Sequence, residues 1–125
     1  MNWTLELIIL PVTDVDRAKD FYVNQIGFNA DHDHVVSDDL RFVQLTPPGS
    51  GCSIAFGKGL TDAEPGSVQG IFLVVDDIEA AREHLLGNGV EVGPVDVQPW
   101  GHFLYFLDPD GNGWSVQYLP NRHQS

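Results

Sequence analysis

At 125 residues and 42% hydrophobic side chains, the chain is long enough to bury the core of one domain and short for two. Six basic against eighteen acidic side chains give a net charge of −12, a field that repels phosphate backbones and anionic lipid, argues against nucleic-acid and membrane partners, and raises the local concentration of cations. Cys52 is the single cysteine and permits no internal disulfide. The opening stretch MNWTLELIILPV has no basic region and an apolar run far shorter than the roughly 20 residues of a membrane span, so a cytoplasmic protein is expected.

In chain order, an aliphatic run ending in LIILPV reads as a strand, and Thr13 or Asp14 as the cap of a helix whose buried stripe is Val15, Ala18, Phe21 and Tyr22. Gly27 suits a left-handed helix end, and Phe28 opens the next strand. The stretch LRFVQLTPPGSGCSIAFG is a hairpin broken by a Pro/Gly turn. After the Gly/Pro/Ser-bearing connection GKGLTDAEPGSVQG, the order repeats. GIFLVV is a strand, Asp76 or Asp77 caps a helix with Ile78, Ala81 and Leu85 inward, Gly89 ends it, and Val90 opens a strand. HFLYFLDPDGNGWSVQYL forms the last hairpin.

The repetition is visible residue by residue. Sliding the chain by 63 positions sets Ile8 on Ile71, Leu10 on Leu73, Asp14 on Asp77 and Ala18 on Ala81, and an offset of 62 sets Gly51 on Gly113, Ser53 on Ser115 and Phe56 on Tyr118. Each half therefore reads as βαβββ, with module one at about 5–57 and module two at about 69–119. A period of two along the last strand of each half sends Cys52, Ile54 and Phe56, or Trp114, Val116 and Tyr118, toward the helices. Ser53, Ala55, Ser115 and Gln117 then point the other way, into a groove between sheets suited to a small molecule.

Together LPVTDVDRAKDFYVNQIGF, LVVDDIEAAREHLLGNGVEV, PWGHFLYFLDPDGNGW and the paired layout resemble the vicinal oxygen chelate superfamily, which includes glyoxalase I, bleomycin-resistance proteins, fosfomycin-resistance enzymes and extradiol dioxygenases. The resemblance covers almost the whole chain. It implies an α+β fold of two tandem βαβββ modules around a U-shaped cleft, commonly in a homodimer. Metal-dependent members of that family place a His or Gln in the first strand of each module and a Glu in the last.

Carried onto this sequence, those positions are Leu7 and Gly70 in the first strands and Ser53 and Ser115 in the last. A register shifted by two gives Ala55 and Gln117, and a slip of one gives Glu6 and Gln69. Transition ions need converging imidazole and carboxylate donors, which Leu, Gly and Ser do not supply. No metal and no cofactor are expected at the inherited site.

Other clusters have ordinary explanations beside the chemical ones. His32 and His34 share a strand face at a spacing that can chelate an ion, as a polar edge strand also would. DPDGNG matches the first half of a calcium loop, but its twelfth position is Leu119, and a tight hairpin accounts for the same residues. Cys52 falls on the predicted core face, His84 on the outside of the second helix, and His123 in a polar tail. In the layout that the resemblance implies, His102 lies at the rim of the cleft.

The expected ligand-binding set is Ile9, Phe42, Gln44, Ser53, Phe72, Trp100, His102, Tyr105, Ser115 and Gln117, with the choice between Tyr105 and Phe106 left open by the register before Asp108. No catalytic residue is assigned. This set suits sequestration of an antibiotic-like small molecule, aromatic or cationic, by a metal-free homodimer. The alternative is a metal-dependent lyase, isomerase or dioxygenase using His32, His34 or His102.

Overall fold

Two four-stranded sheets carry the chain, each built from one half of the sequence. The computed structural model describes residues 1–120, and His123 lies outside them. In the first half, β1 (Leu7–Ile9), α1 (Val15–Asp20), β2 (Asn29–Ser37), β3 (Leu40–Thr46) and β4 (Ser53–Lys58) form a sheet of order β1-β4-β3-β2. In the second half, β5 (Ile71–Val74), α2 (Ile78–Gly87), β6 (Asp96–Gln98), β7 (Gly101–Leu107) and β8 (Gly113–Tyr118) repeat it as β5-β8-β7-β6. The first strand of each half runs parallel to the last, and the other pairs are antiparallel.

Both helices start as their sequences predict. Asp14 and Asp77 are extended residues whose carboxylates accept from the amides of Arg17 and Ala80, each at 3.0 Å. The first helix then widens. Phe21–Ile26 form a π-helical turn, and the amides of Gly27 and Phe28 both donate to the Tyr22 carbonyl. The wider turn accommodates two adjacent aromatics, Phe21 and Tyr22, both buried. It ends at Gly27, whose φ of 102° is costly for any side-chain-bearing residue.

One core serves both halves. Tyr22, Phe28, Val43, Leu45, Ile54 and Phe56 from the first pack with Leu85, Leu104, Phe106, Trp114 and Val116 from the second. Its aromatic centre crosses the boundary: Tyr22 lies 5.6 Å from Trp114 between ring centroids, and Phe106 lies parallel to Trp114 at 5.9 Å.

A polar knot sits beside that core. The Tyr22 hydroxyl donates to Asp108 Oδ2 at 2.7 Å and accepts from Trp114 Nε1 at 2.9 Å. Asn112 Nδ2 donates to the same carboxylate and to the Pro11 carbonyl, while Asn112 Oδ1 accepts from the Val68 amide. Asp108 Oδ1 takes the amides of Asp110 and Asn112. The DPDG turn is thus a hydrogen-bonded hairpin whose carboxylates face inward, and its acidic spacing is spent on the fold.

Two expectations need correction. Val90 does not open a strand: it is buried in an irregular stretch, and β6 starts only at Asp96. Cys52 is half-buried, just ahead of β4. Among the described residues, no helix is long and apolar enough to cross a membrane.

Candidate functional site

In each sheet, alternation sends one set of side chains to the helices and the other to an inner face. On the first sheet, Leu7 pairs with Ser53 and Ile9 with Ala55, and Ala55 pairs in turn with Gln44, whose neighbour on β2 is His32. Phe42 lies opposite His34. This face is polar. Ser53 Oγ is 2.6 Å from Thr46 Oγ1, which also donates to Asp31, and the His32 and His34 rings stack at 5.6 Å.

The second sheet presents a different surface. Phe72 pairs with Ser115 and Ser115 with Tyr105, while Val74 pairs with Gln117, Gln117 with Phe103, and Phe103 with Asp96. On it lies an open cavity of about 460 Å³ lined by Phe72, Asp96, Gln98, Trp100, Phe103, Tyr105 and Gln117. The register settles which aromatic enters. Tyr105 faces this cavity, and Phe106 turns into the core against Trp114.

The floor of the cavity is organised around one carboxylate. Asp96 Oδ2 accepts from the Tyr105 hydroxyl at 2.7 Å, and Asp96 Oδ1 accepts from Gln98 Nε2 at 2.8 Å. Donation to Asp96 holds the Tyr105 phenol above its ordinary pKa range. Phe103 and Tyr105 lie parallel, 6.4 Å apart, with Tyr105 exposed and Phe103 buried. A second cavity of about 460 Å³ also touches Tyr105 and Ser115, but its walls include Phe106 and Trp114 from the opposite side of the sheet. It therefore draws on both faces of the sheet, sharing Tyr105 with the first cavity.

The sequence-predicted set divides three ways. Phe72, Trp100, Tyr105 and Gln117 are brought together around the cavity, and Ser115 lies between Phe72 and Tyr105 in the strand register. Ile9, Phe42, Gln44 and Ser53 share the corresponding face of the first sheet and are not among the cavity's walls. His102 has the parity of Leu104 and Phe106, so it stands on the helix side, 5.6 Å from the Tyr118 ring. Asp96, Gln98 and Phe103 were missed. Asp96 and Gln98 fall in a strand of three residues, too short to show a period, whereas Phe103 was within reach because it shares the parity of Tyr105.

The positions that the resemblance gives to metal ligands do not fit a metal. Leu7 offers hydrocarbon and Gly70 no side chain, while the Ser53 hydroxyl is engaged with Thr46 and Ser115 offers one neutral oxygen. Among the described residues, no three His, Cys, Asp or Glu side chains converge. His32 and His34 lie on the edge strand of the first sheet and His102 on the helix side of the second, so these three do not form one set.

Residues 4–116 match the family model of the Glyoxalase/Bleomycin resistance protein/Dioxygenase superfamily. An antibiotic binding protein, TnmS3 from Streptomyces sp. CB03234, superposes with a TM-score of 0.85 at 33% identity, over 94% of this chain and 97% of that one. A glyoxalase/bleomycin resistance protein from the same organism gives a TM-score of 0.80 at 34% identity, over 91% and 99% of the two chains. An uncharacterized protein of Shewanella frigidimarina is 30% identical, over 98% of each chain.

Proposed function

The chain belongs to the glyoxalase/bleomycin resistance protein/dioxygenase superfamily, and from that premise we propose that it binds a planar organic molecule without metal and without turning it over, as a sequestering protein would. The observation that carries this reading is the cavity on the second sheet: Phe72, Trp100 and Tyr105 supply exposed rings over a buried Phe103, and Gln117 supplies an amide. Stacking on such rings contributes about 0.5–1.5 kcal/mol per pair beyond the area buried. The likeness to an antibiotic binding protein at 33% identity supports an antibiotic-like ligand. The rival, a metal-dependent lyase, isomerase or dioxygenase, has no converging donor set among the described residues to work with.

The same reading includes a homodimer. Ile9, Phe72 and Val74 are substantially exposed on inner faces of a single chain, and a second copy laid across them would bury apolar surface and deepen the cleft. Light scattering at micromolar concentration should give twice the chain mass, and a monomer mass would reject the dimer.

The function is tested by a thermal-shift screen of planar aromatic compounds, followed by native mass spectrometry of the hits. Stoichiometric, unmodified ligand released intact on denaturation supports sequestration. Turnover of a hit to product, or a screen of several hundred such compounds with no stabilising member, would overturn it.

A further inference from the structure

The Asp96 carboxylate is the unusual group in the cavity. It is half-buried among aromatic rings, its two hydrogen-bond donors, Tyr105 and Gln98, are both neutral, and it belongs to none of the ion pairs found among the described residues. A carboxylate offers about four acceptor positions, and these two bonds leave about half of them open. Both bonds also fix the group, so it reaches a ligand already oriented.

A flat ligand laid over Phe72 and Trp100 takes water away from Asp96. With no donor of its own opposite the carboxylate, that ligand leaves a charge desolvated and uncompensated, a cost that weighs against binding. A ligand carrying a protonated nitrogen at that point replaces the lost water with a charge-assisted hydrogen bond. Discrimination then comes from the penalty on the wrong ligand as much as from attraction for the right one.

We propose that Asp96, held by Tyr105 and Gln98, is a cation subsite that selects planar aromatic ligands bearing a protonated amine, with the N–H donated to a carboxylate oxygen. This deepens the binding reading above and rests on it. It differs from the pull of the net charge, because the long-range field is indifferent to which acid supplies it, whereas the subsite depends on one residue.

Three probes with one ring system separate the terms: 9-(aminomethyl)anthracene, cationic at neutral pH, 9-anthracenemethanol, neutral, and 9-anthracenecarboxylate, anionic. Titrated into wild-type protein and followed by tryptophan emission, the amine should bind about 10-fold tighter than the alcohol, and the carboxylate weakest. Asp96→Asn should shrink the amine-to-alcohol ratio to about 3-fold or less. Glu83→Gln, on the exposed side of α2, removes the same unit of charge elsewhere and should leave the ratio intact.

Equal binding of amine and alcohol to the wild type overturns the subsite and leaves the aromatic cleft standing, a comparison that needs no variant. An undiminished ratio in Asp96→Asn, or an equal loss in Glu83→Gln, also overturns it, the latter in favour of the general field. If none of the three probes binds, the aromatic reading of the cavity falls, and the subsite falls with it.

Discussion

Tyr22 and Asp108 stand 86 positions apart, in different halves of the chain, and meet in a buried hydrogen bond of 2.7 Å. Tyr22 also accepts from Trp114, and Asp108 accepts from Asn112, so the contact is the middle link of a network joining the first helix to the last hairpin. Without it, each repeat would bring its own open sheet and half of a shared core.

Tyr22→Phe keeps the ring and removes that link, leaving Trp114 Nε1 without its acceptor in the interior. Urea unfolding at neutral pH should show a loss of about 1–3 kcal/mol within a single transition. The alkaline limb should change as well. Burial first, then the neighbouring Asp108 charge, pushes the Tyr22 phenol above its ordinary range. A raised folded pKa means a contribution fully present below the unfolded value of about 10 and lost as pH rises past it, at up to about 1.4 kcal/mol per pH unit. The variant should lack this part of the slope. Equal slopes in both proteins would contradict the assignment.

The first sheet is tied to α1 by Arg41, which binds Asp33 on β2 and Asp16 on the helix, each at 2.9 Å, while Lys19 adds a second cation to Asp33. Hydrogen bonds from Arg41 and then Lys19 hold the Asp33 carboxyl below its usual range. A depressed folded pKa contributes stability above the unfolded value of about 3.9 that is lost as pH falls below it. Because the group is partly solvated, the effect is small, at most about 1 kcal/mol. Asp33→Asn should destabilise slightly at pH 6, and the difference should shrink as pH falls below about 4. A difference that grows on acidification would reject the sign.

Purified protein should carry transition metal well below one ion per chain by elemental analysis, and dialysis against a chelator should leave the melting temperature unchanged. It should also lack glutathione-dependent glyoxalase activity, since Leu7, Gly70 and Ser115 provide no imidazole or carboxylate. Tight Ni²⁺ or Zn²⁺ binding lost in a Ser115→Ala protein would contradict this.

The three tryptophans are placed so that one of them can report on the cavity. Trp100 lines it, Trp114 is in the core, and Trp3 lies exposed ahead of β1. A planar compound that binds should quench emission, and Trp100→Leu should remove most of the quench. With a cationic compound, affinity should fall modestly with salt, because charge attraction is screened beyond about 8 Å at physiological ionic strength and stacking is not. A quench unaffected by Trp100→Leu would place the ligand elsewhere.

Much of the fold is legible because it is written twice. The offsets that set Asp14 on Asp77 and Ser53 on Ser115 identify two βαβββ halves, and alternation along β4 and β8 sorts Ile54 and Val116 to the core. The π-helical turn at Phe21–Ile26 is not legible, since two adjacent buried aromatics are compatible with either kind of turn. The cavity is half legible. Phe72 and Gln117 follow from parity, but Asp96 depends on where β6 begins, and the irregular stretch after Val90 hides that start. His102 shows the same weakness from the other side. The family layout suggests the rim, and one step of the pleat sends it to the helices.

The knot between the halves also bears on the tempo of binding. With Tyr22, Asp108, Asn112 and Pro11 bonded across the boundary and a common aromatic core beneath them, admitting a ligand by swinging one sheet away from the other would break buried hydrogen bonds and expose Trp114. On the binding reading proposed above, a ligand would enter instead from the open cavity on the second sheet, without parting the two halves. Observed association rates should then rise in proportion to ligand concentration, with no plateau from a slow conformational step, and differences in affinity among ligands should appear chiefly as differences in residence time.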